Sequence, residues 1–216
     1  MKVIIFDMDG VLAQTSDIHE EAFLEVLKPL GLDQFFHYEA YSGMSTIEVL
    51  KSFFQTQSSN KNESELTSLA KKKSDIAFSK MQQSRYMTEG TPEILESLNK
   101  RFVLALASSG SKRSVDHFVK FHKLDKYFSQ VLNSSDVQQA KPNPEIFLKT
   151  AKLLGVSPKD CLVVEDSCSG VEAATSANMK TIGFSIKASQ RKLLTSQNLA
   201  SCVLDDLHML IPEVAN

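Results

Sequence analysis

The 216-residue sequence lacks several features that would assign it to a membrane or nucleic-acid class. No apolar run approaches the roughly 20 residues needed to cross a bilayer, so we expect no membrane span. Neither sign of charge dominates, since 24 Lys and Arg stand against 26 Asp and Glu. The composition therefore offers no electrostatic reason to expect a nucleic acid or an anionic membrane as a partner.

Cysteine is also scarce, because the chain has three cysteines and no CxxC pair. Such usage is typical of a protein kept reduced. The first residues reach the acids Asp7 and Asp9 at once, unlike a secretory signal peptide. We therefore expect a cytoplasmic protein. What is present, 42% hydrophobic and 23% charged residues, is ordinary for a globular protein with a real core.

Short apolar runs alternate with helix-like segments over most of the chain. Six runs are interpreted as strands, at 3–6, 102–107, 130–132, 161–164, 181–184 and 201–204. They are continuous rather than alternating, as in parallel strands covered on both faces. Thr91 is expected to cap one intervening helix and Asn143 another, each with a proline behind it. The alternation predicts an α/β fold with a Rossmann-like parallel sheet.

Residues 16–86 break this alternation, because they contain only helical patterns and a polar loop. One of these helices opens with a capping-box pattern at Ser45 and Glu48. We therefore predict a discontinuous Rossmann-like core, residues 1–15 and 87–216, with an inserted α-helical domain at 16–86.

Polar side chains follow four of the predicted strands. Taken singly, each has an ordinary explanation, since acids and hydroxyls after strands form turns or helix caps and a lone lysine is usually solvated. Because the carboxyl ends of parallel strands share one edge of the sheet, where open α/β sheets bind ligands, we expect these side chains to converge. They are Asp7, Asp9, Ser108, Ser109, Lys141, Glu165 and Asp166.

Phosphoryl transfer is the chemistry that needs this combination. The four carboxylates can ligate a hard divalent cation, which prefers oxygen ligands. Lys141, Ser108 and the N–H groups of the SSGS turn can offset the negative charge of a transferred phosphoryl group. One aspartate can act as nucleophile through an aspartyl-phosphate, while a second acid moves the proton.

Four motifs in order resemble those of the haloacid dehalogenase-like hydrolase superfamily. They are DMDGV at 7–11, LASS at 106–109, KPNPEIF at 141–147 and VVEDSCSGVEAA at 163–174. The helical insertion resembles the cap domain of the branch that holds β-phosphoglucomutase, phosphoglycolate phosphatase and sugar-phosphate phosphatases. The resemblance extends over essentially the whole chain, and it implies Mg²⁺ as the cofactor.

The resemblance also implies a role for each matched residue. Asp7 would be the nucleophile and a Mg²⁺ ligand, and Asp9 the general acid and base, with its main-chain carbonyl on the metal. Glu165 and Asp166 would complete the metal site. Ser108 and Lys141 would hold the phosphoryl group. Further substrate contacts would come from Thr15, His19, Gly43, Lys73 and Ser109.

The sequence departs from the mutase-like pattern at two positions. That pattern has an arginine in a G-x-S-R loop to hold the far phosphate, whereas GMST at 43–46 places Thr46 there. Threonine lacks the bidentate fork that suits phosphate. Gln14 stands where an acid is often found. We therefore favour a phosphatase acting on a small phosphorylated metabolite such as a sugar or polyol phosphate, with a β-phosphoglucomutase-like mutase as the alternative.

Three further alternatives remain. A dehalogenase needs no metal, which Asp9 and the Glu165–Asp166 pair argue against. A phosphonatase would need a cap lysine for a Schiff base, and 71–73 is a lysine run, although such a run is usually a solvated helix face. A non-catalytic protein that binds phosphometabolites would lack a chemical residue, and none is missing. We expect a monomer whose cap moves on hinges near 13–16 and 84–90.

Overall fold

The computed structural model describes residues 1–41, 43–59, 61–196, 200 and 202–215. A six-stranded parallel sheet lies at the centre of these residues, in the order β3-β2-β1-β4-β5-β6. The prediction of a Rossmann-like parallel sheet is confirmed. Residue 201, which the last predicted strand included, lies outside the described residues. The strands are β1 (Val3–Phe6), β2 (Val103–Ala107), β3 (Phe128–Leu132), β4 (Cys161–Glu165), β5 (Lys180–Phe184) and β6 (Cys202–Leu204).

Helices cover both faces of the sheet and fill the segment between β1 and β2. They are α1 (Ser16–Leu27), α2 (Thr46–Thr56), α3 (Glu63–Gln83), α4 (Thr91–Asn99), α5 (Lys112–Phe121), α6 (Glu145–Leu153), α7 (Cys168–Ser176), α8 (Ala188–Ser196) and α9 (Leu210–Ala215). None of the helices in the described ranges is long and apolar enough to span a bilayer.

The first strand shows why the strand sequences are continuously apolar. Ile4 and Phe6 enter the hydrophobic cluster beneath α4, α5 and α9, whereas Val3 and Ile5 enter the cluster beneath α6 and α7. All four side chains are fully buried. A strand with a core on each face has no solvent side on which a polar residue would be favoured.

Two helix starts differ from the expectation by one residue. Helix α4 begins at Thr91 itself and is preceded by Gly90, whose φ of +77° is left-handed. The Thr91 hydroxyl is buried and donates to the Leu12 carbonyl at 3.5 Å, so it serves a tertiary contact instead of a cap. Helix α6 begins at Glu145 after Pro144, while the Asn143 side chain accepts from the Glu145 N–H at 3.0 Å. The capping box at the start of α2 is confirmed.

The segment 16–86, called here the helical segment, buries a hydrophobic cluster of its own. This cluster joins Phe23 of α1 to Leu50 and Phe53 of α2 and to Leu66 of α3, apart from the two clusters of the sheet. The chain leaves and re-enters the sheet region at neighbouring points, since Ala13 pairs with Met87. The division into a core of 1–15 and 87–216 and a domain of 16–86 agrees with these contacts and stays a prediction.

Candidate active site

The Lys141 ammonium group joins the carboxyl ends of three neighbouring strands. Its Nζ donates to Asp7 Oδ1 at 2.5 Å, to Glu165 Oε1 at 2.7 Å and to the Ala107 carbonyl at 3.1 Å. These partners lie at or just beyond the ends of β1, β4 and β2. Lys141 is only 1% exposed, so the cation is held inside the protein by two carboxylates. Such a buried charge is tolerable only when it is paired in this way.

Negative charge nevertheless exceeds positive charge around Lys141. Burial, with the charges of Glu165 and Asp9, raises the pKa of Asp7 to about 8 against the opposing effect of the ammonium. Burial, with the same neighbours, raises the pKa of Asp166 well above its usual range. Burial would lower the pKa of Lys141, but the carboxylates of Asp7 and Glu165 outweigh burial and raise this pKa above its usual value. The site therefore favours additional positive charge.

Asp9 has a different environment from Asp7. Its Oδ1 accepts from the Thr15 hydroxyl at 2.5 Å and lies 3.3 Å from His19 Nε2. Its Oδ2 accepts from the Ser108 hydroxyl at 3.5 Å. Burial alone would raise the pKa of Asp9, but the contacts with His19 and Thr15 outweigh it and lower that pKa. The chain thus holds one aspartate with a raised pKa beside one with a lowered pKa.

Lys73 extends this contact network into the helical segment. Its Nζ lies 2.8 Å from His19 Nδ1 and 4.4 Å from the centre of the Phe23 ring. Burial lowers the pKa of Lys73 to about 7 in spite of the Asp9 charge. Lys71 and Lys72 are exposed as predicted, whereas Lys73 is buried. Lysine runs are usually solvated, but Lys73 lies on the side of α3 that packs against α1 and lines the cavity described below. Its predicted contact with substrate stays a prediction.

The turn after β2 connects the sheet with the helical segment. Ser108 is buried, and its hydroxyl accepts from the Gly110 N–H at 2.9 Å. The Ser109 hydroxyl donates to the Gly43 carbonyl at 3.2 Å. Gly43 has a φ of +80°, and a Cβ there would lie 2.1 Å from Ser167 Oγ. A side chain at this position would separate the loop from the sheet edge.

The acids after β4 are fixed by their neighbours. Glu165 Oε2 accepts from the Ser167 N–H at 2.8 Å and from its hydroxyl at 2.9 Å. The Asp166 carboxylate lies against Gly10, where a Cβ would come within 2.0 Å of Oδ2. The residues suit a divalent cation, because several buried carboxylates share one ammonium. Within the described ranges, no three acidic, histidine or cysteine side chains are gathered as a metal centre, so the predicted Mg²⁺ ligands stay a prediction.

A cavity of about 510 Å³ opens above these residues. Its volume is within the range of small-molecule sites. The sheet edge contributes Asp7, Asp9, Ser109 and Asp166, and the helical segment contributes His19, Tyr38, Gly43, Thr46 and Lys73. The structure thus brings most of the predicted residues to one cavity, with Thr15, Ser108, Lys141 and Glu165 buried beside or beneath it.

Two residues near the cavity were missed by the sequence analysis. Tyr38 lines the cavity, and burial, with the charge of Asp9, raises its pKa well above the usual range. Gln190 in α8 donates to the main-chain carbonyl of Asp166 at 2.8 Å. Neither belongs to a motif, so the sequence carries no local signal for either.

Comparison with protein families gives a match over most of the chain. The model for haloacid dehalogenase-like hydrolases matches residues 4–184. The chain belongs to this hydrolase family. The match confirms the predicted superfamily, and it confirms the prediction of an enzyme.

Individual relatives of this hydrolase agree with the family match. The chain is 33% identical to a phosphorylated carbohydrates phosphatase of Thermotoga maritima over 187 residues, 84% of each chain. It is 29% identical to the chloroplastic protein SUPPRESSOR OF QUENCHING 1 of Arabidopsis thaliana over 96% of its own length, but it spans only 20% of that protein.

Among solved structures, a β-phosphoglucomutase from Clostridium difficile superposes with a TM-score of 0.84 at 25% identity. The match covers 97% of this chain and 93% of that one. The predicted likeness to the β-phosphoglucomutase branch is therefore confirmed.

Proposed function

We propose that this hydrolase is a Mg²⁺-dependent phosphatase that removes phosphate from a small phosphorylated metabolite, with a sugar or polyol phosphate as the preferred class. The observation that carries the proposal is the ion-paired Asp7, which lies at the cavity and is held by Lys141, beside the separately tuned Asp9. The similarity to a phosphorylated carbohydrates phosphatase supports the substrate class.

In the first step, a carboxylate oxygen of Asp7 attacks phosphorus and forms the new P–O bond of an aspartyl-phosphate. The bond from phosphorus to the ester oxygen breaks, and that oxygen leaves with the bonding electron pair and takes a proton from Asp9. Lys141 and Ser108 offset the negative charge on the phosphoryl oxygens. A phosphate dianion in the cavity would raise the proton affinity of Asp9, because like charges disfavour the ionised carboxylate.

In the second step, Asp9 takes a proton from water, and the water oxygen attacks the phosphorus of the aspartyl-phosphate. The bond to Asp7 breaks, inorganic phosphate leaves and the Asp7 carboxylate is regenerated. Thr15 and His19 favour the ionised form of Asp9 that accepts this proton. Mg²⁺, held by Asp7, the Asp9 carbonyl, Glu165 and Asp166, would supply positive charge to the phosphoryl oxygens.

The experiment is phosphorus NMR of the purified protein with Mg²⁺ and a panel of sugar phosphates that includes β-glucose 1-phosphate. We expect free phosphate from one or a few of these compounds. Asp7→Asn should abolish turnover while circular dichroism stays unchanged, whereas Asp116→Asn, on the exposed side of α5, should retain full turnover. Full activity of Asp7→Asn would remove Asp7 as the nucleophile.

The same spectra test the mutase alternative, which the likeness to β-phosphoglucomutase favours. Conversion of β-glucose 1-phosphate to a 6-phosphate ester without free phosphate would establish a mutase and refute the phosphatase. Thr46 lines the cavity where the mutase-like pattern has its phosphate-binding arginine, and this difference supports the phosphatase. Saturable binding of a sugar phosphate with neither product would instead identify a non-catalytic binding protein.

We also propose that the helical segment closes over the cavity as a cap. The two connections that would act as hinges lie side by side, since the Gln14 N–H donates to the Tyr86 carbonyl at 2.6 Å and the Gln14 side chain donates to Thr88 Oγ1 at 2.9 Å. We expect substrate to increase hydrogen-exchange protection at 13–16 and 84–90. Unchanged exchange in both segments would argue against the closing motion.

A further inference from the structure

Gln190 is a buried polar side chain that reaches the active-site main chain from a separate element. It lies in the first turn of α8 and is 8% exposed. Its Nε2 donates to the main-chain carbonyl of Asp166 at 2.8 Å, across 24 residues of sequence. A glutamine is seldom buried without such a contact, so this hydrogen bond to the site needs an explanation.

The start of α8 is itself held in place. The Arg191 guanidinium donates through Nη1 to the carbonyls of Ser185 and Ile186, both at 2.9 Å. The Ser185 N–H in turn donates to the Leu204 carbonyl at the end of β6 at 2.9 Å. Gln190 therefore projects from a turn that is hydrogen-bonded to the sheet, which gives its amide group a defined position.

Asp166 is thereby restrained from two sides. Its carboxylate lies against Gly10, where even a methyl group would approach Oδ2 to 2.0 Å. Its main-chain carbonyl is bound by Gln190. Metal-binding carboxylates depend on partners of this kind for their orientation, and loss of such a partner typically weakens metal binding.

We propose that Gln190 is a positioning residue for the Mg²⁺ site. Its amide N–H fixes the main chain at residue 166 and, through it, the direction of the Asp166 carboxylate. The inference rests on the proposed function as far as Asp166 binds Mg²⁺. It predicts that the hydrogen bond, and not merely the packing of α8, determines the affinity for the metal.

The test compares Mg²⁺ binding by calorimetry, without substrate, in the wild type, Gln190→Met and Leu194→Ala. Methionine keeps the length of the side chain but has no N–H, so we expect Mg²⁺ binding to weaken about threefold to tenfold, the effect of one neutral hydrogen bond. Leu194 is fully buried in the same helix. Its replacement should lower the unfolding midpoint and leave Mg²⁺ affinity unchanged.

The outcomes separate this inference from the proposed function. If the wild type binds Mg²⁺ and Gln190→Met binds it equally well, or if Leu194→Ala weakens binding as much as Gln190→Met, the positioning role is refuted and the phosphatase proposal stands. If the wild type binds no Mg²⁺, the proposed metal site and the role of Gln190 fail together. Should Gln190→Met not fold, Gln190→Leu, which also lacks the donor, is expected to show the same weakening.

Discussion

Lys141 and Lys73 are two buried lysines whose replacement should have very different effects on stability. Lys141 is 1% exposed and lies between Asp7 and Glu165, whereas Lys73 is 3% exposed and contacts His19 and an aromatic ring. We predict that Lys141→Met strongly destabilises the protein and that Lys73→Met does not. Methionine is suitable in both places because it retains most of the side-chain volume and removes the charge.

The magnitude follows from what each substitution leaves behind. Lys141→Met leaves two buried carboxylates without their cation, and breaking a buried pair in this way costs about 3–5 kcal/mol. That is a large part of the roughly 5–15 kcal/mol that stabilises a typical domain. Lys73 has no carboxylate of the described residues within ion-pair distance, and burial lowers its pKa to about 7. Its removal relieves a desolvation cost, so we expect a change below about 1 kcal/mol.

The assay is urea unfolding of the wild type and both variants at pH 9, above the pKa of about 8 of Asp7, followed by far-ultraviolet circular dichroism without Mg²⁺. With an m-value of about 3 kcal/mol per molar, the midpoint of Lys141→Met should fall by about 1 to 2 M. The Lys73→Met midpoint should stay within about 0.3 M of the wild type, given the same m-value. Equal losses in the two variants, or no loss in Lys141→Met, would refute the view that the ammonium offsets the carboxylates.

Two further predictions concern the backbone around the site. Gly10→Ala should lower the unfolding free energy by about 1–3 kcal/mol more than the control Gly31→Ala. Both glycines have a positive φ, but only a Cβ at Gly10 would meet the Asp166 carboxylate. Equal losses of unfolding free energy in urea would contradict this prediction. Glu145 accepts from the main-chain N–H groups of 138–139, which lowers its pKa. A carboxyl group whose pKa is lower in the folded than in the unfolded protein stabilises the fold at pH values above its unfolded-state pKa. This stabilisation is lost as the pH falls through the folded-state pKa. The wild type should therefore exceed Glu145→Gln in unfolding free energy at pH 7, and this difference should disappear below about pH 4. A difference that does not decrease in acid would contradict the prediction.

The acids of the sheet edge could be predicted because they lie at the ends of strands, whereas Lys141 follows β3 only after a loop and is placed less closely by sequence position. A continuous apolar strand such as Val3–Phe6 must be covered on both faces, which makes the sheet parallel and directs all its carboxyl ends to one edge. The position of a polar residue directly after such a strand is therefore enough to predict that it lies at this edge of the sheet. The edge strand β3 was less well predicted, since it begins at Phe128, before the predicted start at residue 130, and the polar Ser129 interrupts its apolar run.

Lys73 and Thr91 show where a local rule is not sufficient. Of the three successive lysines, Lys73 shares the helical face of Ala77 and Met81, but only the packing of α3 against α1 decides that its ammonium group is buried. Thr91 has the chemistry of a helix cap, but its hydroxyl is used by a carbonyl 79 residues away, so Gly90 takes the cap position. In both cases a tertiary contact outweighs the local preference.

The sequence by itself determined the family, through the resemblance of its motifs, and it determined the parallel sheet and the candidate residues near the strand ends, because these depend on patterns along the chain. Only the tertiary structure decided the burial of Lys73, the environment that separates Asp9 from Asp7, and the contact of Gln190 with Asp166. These features arise between segments far apart in sequence. Their energies depend on burial and distance, which exist only after the helices have packed on the sheet.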